Sequence, residues 1–524
     1  MTRQKQAAVG ICVLILVGGW SAIRVVPVQA QSTADWAQWG QNFLHTGSTA
    51  AIGQAPAVQL VKITYDPFIP QEQAEEGGVL LAHYQVPLID GNDVFIEYKT
   101  GTYVSCDPPG SGQPYPCGPD AWNSEIWNER AYTWQNGSLV ELWNFQSDWK
   151  PEPNTNLGGK PKEYGLLGWE PVFHAALWNG YVFVPGWAGT VYQLNESDGT
   201  VVAKYNPGGS TINPNAYVSG PLTVDQNGNV YYNVIGLDPT YPWTVNIHDA
   251  WLVKITPQGA LQKVSYNVLV PDAQKKCFDN DYLCGSQRAG INVGPAVSAD
   301  GSTIYTASRG HLELGVEFGF VVAANSDLTP AWDTYLRNIA GPESSGLILD
   351  QASSSPVVAP DGSIIFGVEG TVKYSHLFKL SSSGQYLASY DFGWDDTPAV
   401  YSHDGTYSVI TKDNHLANGP FYITQLNSDL VPEWRFKDPT STQDHPNGYE
   451  WCVNAPAVDG NGTVYADSED GNLYAIQQGA KEEGSVFLQE SIGAAYTPVA
   501  VGRDGKIYTE NDGVMFVLGA STSR

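Results

Sequence analysis

Methionine is almost absent from this sequence, with 2 copies in 524 residues, and cysteine is sparse at 6. No two cysteines stand in a C-x-x-C spacing, so the paired-ligand pattern of structural zinc sites is missing. Basic residues are also scarce, 26 Lys and Arg against 54 Asp and Glu, which leaves a net charge of −28. That balance excludes nucleic acid and anionic lipid as partners, because their phosphates need a basic footprint. No Gly-x-Ser-x-Gly, His-Glu-x-x-His or phosphate-loop pattern occurs. The common hydrolase, metalloprotease and nucleotide-binding signatures are therefore lacking.

The N-terminus carries an apolar run, residues 7–20, after Arg3 and Lys5. It is too short to span a bilayer, and Val28-Gln29-Ala30 offers a small-residue cleavage site, so residues 1–30 read as an export signal. Cys12 lies inside the run rather than after a lipobox, which argues against a lipoprotein. A secreted or periplasmic location is expected, with no membrane insertion after cleavage. In an oxidising compartment Cys106 with Cys117, and Cys277 with Cys284, are the natural local disulfides. Cys452 is left over, either free or rearranging that scheme.

What the chain does have is glycine, tyrosine and Asp-Gly or Asn-Gly turns. Residues 454–476, NAPAVDGNGTVYADSEDGNLYAI, show the unit. A proline opens a short apolar strand, a glycine turn follows, then a second alternating strand, another turn and a third strand. Eight copies open at Pro87, Pro171, Pro221, Pro295, Pro356, Pro398, Pro456 and Pro498, spaced 84, 50, 74, 61, 42, 58 and 42 residues apart. The shortest period suits a four-stranded propeller blade. Fourth strands follow most copies, but the chain ends too soon after the last. The lone strand at 58–65 can fill that place and close the ring. The fold expected is all-β, an eight-bladed β-propeller of four-stranded antiparallel blades closed by an N-terminal strand. Residues 31–57 would be a lead-in, 58–520 a single propeller and 521–524 a tail.

Strand direction sorts the loops. The first-to-second and third-to-fourth turns share one face and are short. The extra chain, residues 99–131, 146–170, 234–249, 267–293, 337–355 and 437–454, falls on the other, where binding is expected. Residues just ahead of each inner strand would face the channel mouth: Trp169, Glu170, Asn292, Asp395, Asp396, Glu450, Trp451, Asn454 and Tyr496. Arg288 and Arg309 are the nearest cations. An arginine with carboxylates and flat aromatics can hold a polar ring or sugar. Equally, Trp169 and Trp451 can pack between blades while the carboxylates are solvated. Residues 225–229, DQNGN, lack the closing acid of a calcium loop, so no metal site is assigned. Asn136, Asn195 and Asn461 open glycosylation sequons.

The repeat Pro-Ala-Val / Asp-Gly / Val-Tyr / Asp-Gly-Asn-Leu-Tyr-Ala resembles that of the PQQ-like, quinoprotein-type β-propellers. Trp36, Trp39-Gly40 and His45-Thr46-Gly47 are similar to the lead-in of that family. The resemblance spans nearly the whole chain past the signal. It implies the fold, and it permits a quinone-dependent alcohol or sugar dehydrogenase with PQQ, a divalent ion such as calcium and a carboxylate base. Two features depart from such dehydrogenases: no cysteines are adjacent, and the Ala-x-Asp-x-x-Thr-Gly-x-x-x-Trp blade signature survives only as the degenerate 194–205. No cofactor is therefore expected. The function expected is an exported, monomeric, non-catalytic propeller binding a protein or carbohydrate on its long-loop face. The alternative is the PQQ- and calcium-dependent dehydrogenase, and a lesser one is a polysaccharide hydrolase or lyase.

Overall fold

A computed structural model describes residues 35–75, 81–82, 85–103, 124–150, 169–170, 172–237, 247–271, 273, 287–310, 319–341, 344, 346–348, 354–368, 376–392, 397–416, 418–451, 455–490 and 498–521. Eight antiparallel sheets of four strands, I to VIII in order of their inner strands, form a closed propeller. Blade VIII is completed by the N-terminal strand Val58–Thr64, which pairs with Val514–Gly519, as the orphan strand predicts. The ring is thus closed by hydrogen bonds between the two ends of the chain.

Blades V and VI show how local sequence makes the unit. Val357–Val358, Ile364–Val368, His376–Leu380 and Tyr386–Asp391 form blade V, joined at their first turn by Asp361 and Gly362. Inner strands are buried on both faces, as in Ala399 and Val400, whereas the outer strand Tyr386–Asp391 is half-exposed. Aromatic side chains wedge between neighbours. Trp149 sits 5.3 Å from Phe173 between blades I and II, and the Trp134 indole donates to the Tyr508 hydroxyl at 2.7 Å between blades I and VIII.

Several strand placements differ from the sequence reading. Blade II opens at Ala176–Trp178 rather than at 171–173. Asn179 and Gly180 both hold positive φ there, so a two-residue turn demands that the strand abut it. Segments read as long loops are partly strand: Asp93–Gly101 pairs with Glu125–Gln135, and Val230–Leu237 with Ile247–Ile255. In blades III and IV the inner strand comes in two pieces, with Ala216–Val218 and Gln287–Ala289 as the added ones. Pro221 and Pro295 lack the N–H a continuous ladder needs, so each strand breaks there. Blade VII also has a fourth strand, Lys481–Phe487, that its charged sequence hides.

Candidate functional site

The lead-in is the centrepiece of the channel. Residues 36–54 run round it at the short-turn end and bond each blade in turn. Trp36 and Ile89 exchange both backbone hydrogen bonds, at 3.0 and 2.7 Å. Leu177 N–H donates to Ala37 O in blade II, and Val224 of blade III exchanges bonds with the Gln38 amide. Val297, Val358, Val400 and Val458 donate to the carbonyls of Phe43, Leu44, Thr46 and Gly47, and Gln54 donates to Gly505 of blade VIII. A stopper bound to all eight blades thus fills one end of the channel. The sequence marked its residues only as a family lead-in.

His45 lies inside the stopper, fully buried, with its ring nitrogens 3.0 Å from Pro356 O and 3.1 Å from Thr223 Oγ1. Burial holds its pKa down to about 4. Next to it, His174 takes the Val86 N–H on Nε2 and packs edge-on to Trp39 at 5.6 Å.

Above the stopper, small polar side chains tie blade to blade. Asn292 is one of them: its Oδ1 accepts from Val172 N at 2.9 Å and its own N–H donates to Ser219 O at 2.7 Å. It belongs to this belt rather than to an open mouth, because both its carbonyl oxygen and its backbone are used between blades. Arg288 and Arg309 are also fully buried, as directly opposed cross-strand residues of blade IV. The added strand Gln287–Ala289 places Arg288 within the sheet, beside the strand that carries Arg309. Trp451 is 1% exposed and wedges between Phe436 at 6.0 Å and Tyr474 at 5.4 Å, so it packs between blades VI and VII. Trp169 and Glu170 form a short parallel pair with Leu81 and Ala82. Asp395, Asp396, Asn454, Tyr496, and the cysteines 106, 117, 277, 284 and 452 lie outside the described residues.

Among the described candidates, Glu450 is half-buried. Burial and the charge of Glu469 push its carboxyl up to about 7, against the opposing pull of Lys412. Asp438 nearby is raised to about 6 by burial, with the Ser468 hydroxyl bond opposing and the Asp470 charge adding to it.

The sequence missed a buried acidic group between blades VII, VIII and I. Glu97 and Glu129 are cross-strand partners, and Gln85 bridges them, its N–H donating to Glu97 at 3.3 Å and its amide to Glu129 at 2.9 Å. Burial pushes Glu129 up to about 8, and Glu510 is raised further by burial and by Glu97, Glu129 and Asp467. Alternation in these strands could have flagged an acid at an inward position. Beside them Lys99 meets Asp66 at 2.6 Å, both with fully buried side chains. Lys99→Met is expected to cost roughly 3–5 kcal/mol, since it removes the cation that Asp66 and the buried Glu125 both face. Urea unfolding checks this.

A cleft of about 680 Å³ opens on the other, short-turn face, over the stopper. Phe43, Leu44, Thr46 and Ser48 line its floor, and Pro360, Tyr401 and Ser402 its wall.

No protein-family model matches the chain, and no curated protein matches it. Solved structures do. A quinohemoprotein alcohol dehydrogenase from Comamonas testosteroni aligns over 94% of this chain and 82% of its own, at 12% identity and TM-score 0.53. One from Pseudomonas putida aligns over 93% and 76%, at 12% identity and TM-score 0.51. This likeness shows the β-propeller fold and nothing finer. The resemblance implies a quinone with a divalent ion. Among the described residues no three His, Cys, Asp or Glu side chains converge to ligate an ion. Burial also holds Glu129 and Glu510 toward their protonated forms.

Proposed function

We propose that this protein is an exported, non-catalytic propeller that binds a protein or carbohydrate ligand on its long-loop face. The observation that carries the reading is the asymmetry of the ring. A stopper bonded to every blade fills the short-turn end of the channel, while the strand ends from which the longer connections depart lie on the opposite face. Long loops on a rigid scaffold are where binding residues collect. Glu450, half-buried on that face, is a suitable anchor for a hydroxyl or an N–H donor.

Calorimetric titration with pyrroloquinoline quinone, with and without calcium, is the first test. No binding is expected. Tight one-to-one binding that needs calcium would replace this reading with the dehydrogenase. In parallel, a glycan array and partner capture by cross-linking on the long-loop face should yield a ligand whose affinity falls roughly tenfold in Glu450→Gln.

A further inference from the structure

We propose that the cleft over the stopper is a second binding site, one that takes a basic peptide segment with apolar flanks from a partner protein. Its volume, about 680 Å³, lies within the range of pockets that hold ligands. The floor is apolar but anchored. Phe43 and Leu44 spend their carbonyls on Val297 and Val358 of the blades, and both side chains stay half-buried at the cleft. A few neutral polar groups stand beside them. Thr46 Oγ1 accepts from Asn42 Nδ2 at 2.7 Å and from Ser48 Oγ at 3.3 Å, so its own proton is free to donate to a peptide carbonyl.

Charge selects the ligand. First turns bearing aspartate surround the cleft, and the nearby cations are already engaged. Arg503 clasps Asp35 at 2.5 Å, Lys379 holds Asp361 at 2.9 Å, and Lys506 pairs with Asp504. Asp404, two residues from the wall residue Ser402, has a side chain that is 96% exposed, with His403 Nδ1 3.7 Å away and cationic only when protonated. The residual field is negative, so a basic segment is drawn in and an acidic one repelled.

A sugar is a poorer fit. Tyr401 is the wall aromatic, yet its ring stacks on His403 at 5.1 Å with 23° between planes. It also lies so close to Gly462 that a Cβ there would stand 2.6 Å from the ring. One face of the Tyr401 ring is therefore already taken by His403.

The test is fluorescence anisotropy of the full chain with a labelled Lys-Leu repeat octapeptide, against a Glu-Leu octapeptide and a neutral oligosaccharide. Binding of the Lys-Leu peptide alone is expected, weakened roughly tenfold by Ser402→Arg or Asp404→Arg and unchanged by Glu450→Gln. Loss in Glu450→Gln with no change in the other two would move binding to the long-loop face and overturn the proposal. So would no binding, equal binding of the acidic peptide, or preferential binding of the oligosaccharide. Because the two faces are read by separate variants, failure here leaves the long-loop reading intact.

Discussion

Gly47→Val is expected to lower the stability of the propeller by about 2–5 kcal/mol. Two costs add at this position. The residue holds φ +61°, a left-handed conformation that a β-branched side chain adopts only under strain. A Cβ there would also stand 3.0 Å from the Ala399 Cβ and from Pro456 O, where blades VI and VII press on the stopper. The conformation cannot relax cheaply. Gly47 donates to Gly40 O at 2.9 Å and accepts from Val458 at the same distance, so moving it breaks the stopper's bonds to the ring. Denaturant unfolding measures the loss. Gly91→Ala is the control, with φ +60° but open space around it; it should cost only about 1 kcal/mol. Equal losses in the two variants would show that the stopper contributes little beyond backbone strain.

Removing the charge of Glu129 should change how stability depends on pH. Burial holds its carboxyl at about 8 against an ordinary value of 4.5. Between those two pH values the folded chain binds a proton that the unfolded chain releases. The contribution is therefore complete below about pH 4.5 and is lost as pH rises toward about 8. Glu129→Gln keeps an oxygen for the Gln85 amide and cannot ionise. It should be more stable than the parent by roughly 2–4 kcal/mol at pH 8, and nearly equal to it at pH 4.5. The stepwise comparison matters because His45 and His174 act with the opposite sign. Burial holds them to about 4 and about 3, so they add stability as pH rises toward 6.5. The decline due to Glu129 is thus clearest between pH 6.5 and 8. A difference between variant and parent that does not grow over that interval would mean that Glu129 is ionised in the folded protein.

Much of the ring was legible because its signals are local. Asp361-Gly362 and Asn461-Gly462 specify turns by backbone conformation, and the alternating strands beside them specify a buried face. Even the long-range closure could be inferred, since Val58–Thr64 has no neighbour of its own and the last blade lacks a strand. Blade II failed for an equally local reason: its turn is two residues long, and its proline sits outside the strand.

The candidate site was less legible. Glu450 is half-buried, whereas Trp451, beside it in sequence, packs in the seam between blades VI and VII. Asn292, Arg288 and Arg309 are buried in and between the blades. By itself, then, the sequence determined the number of blades, the closing strand and the face that carries the long connections. Each of these follows from turn chemistry, period-two alternation and chain direction. Only the tertiary structure decided which polar residues are buried. Burial at a propeller's axis depends on side chains from several blades converging, as where Glu97, Glu129 and Glu510 meet or where His45 spans Pro356 and Thr223. Those partners lie tens to hundreds of positions apart, and no local pattern records their meeting.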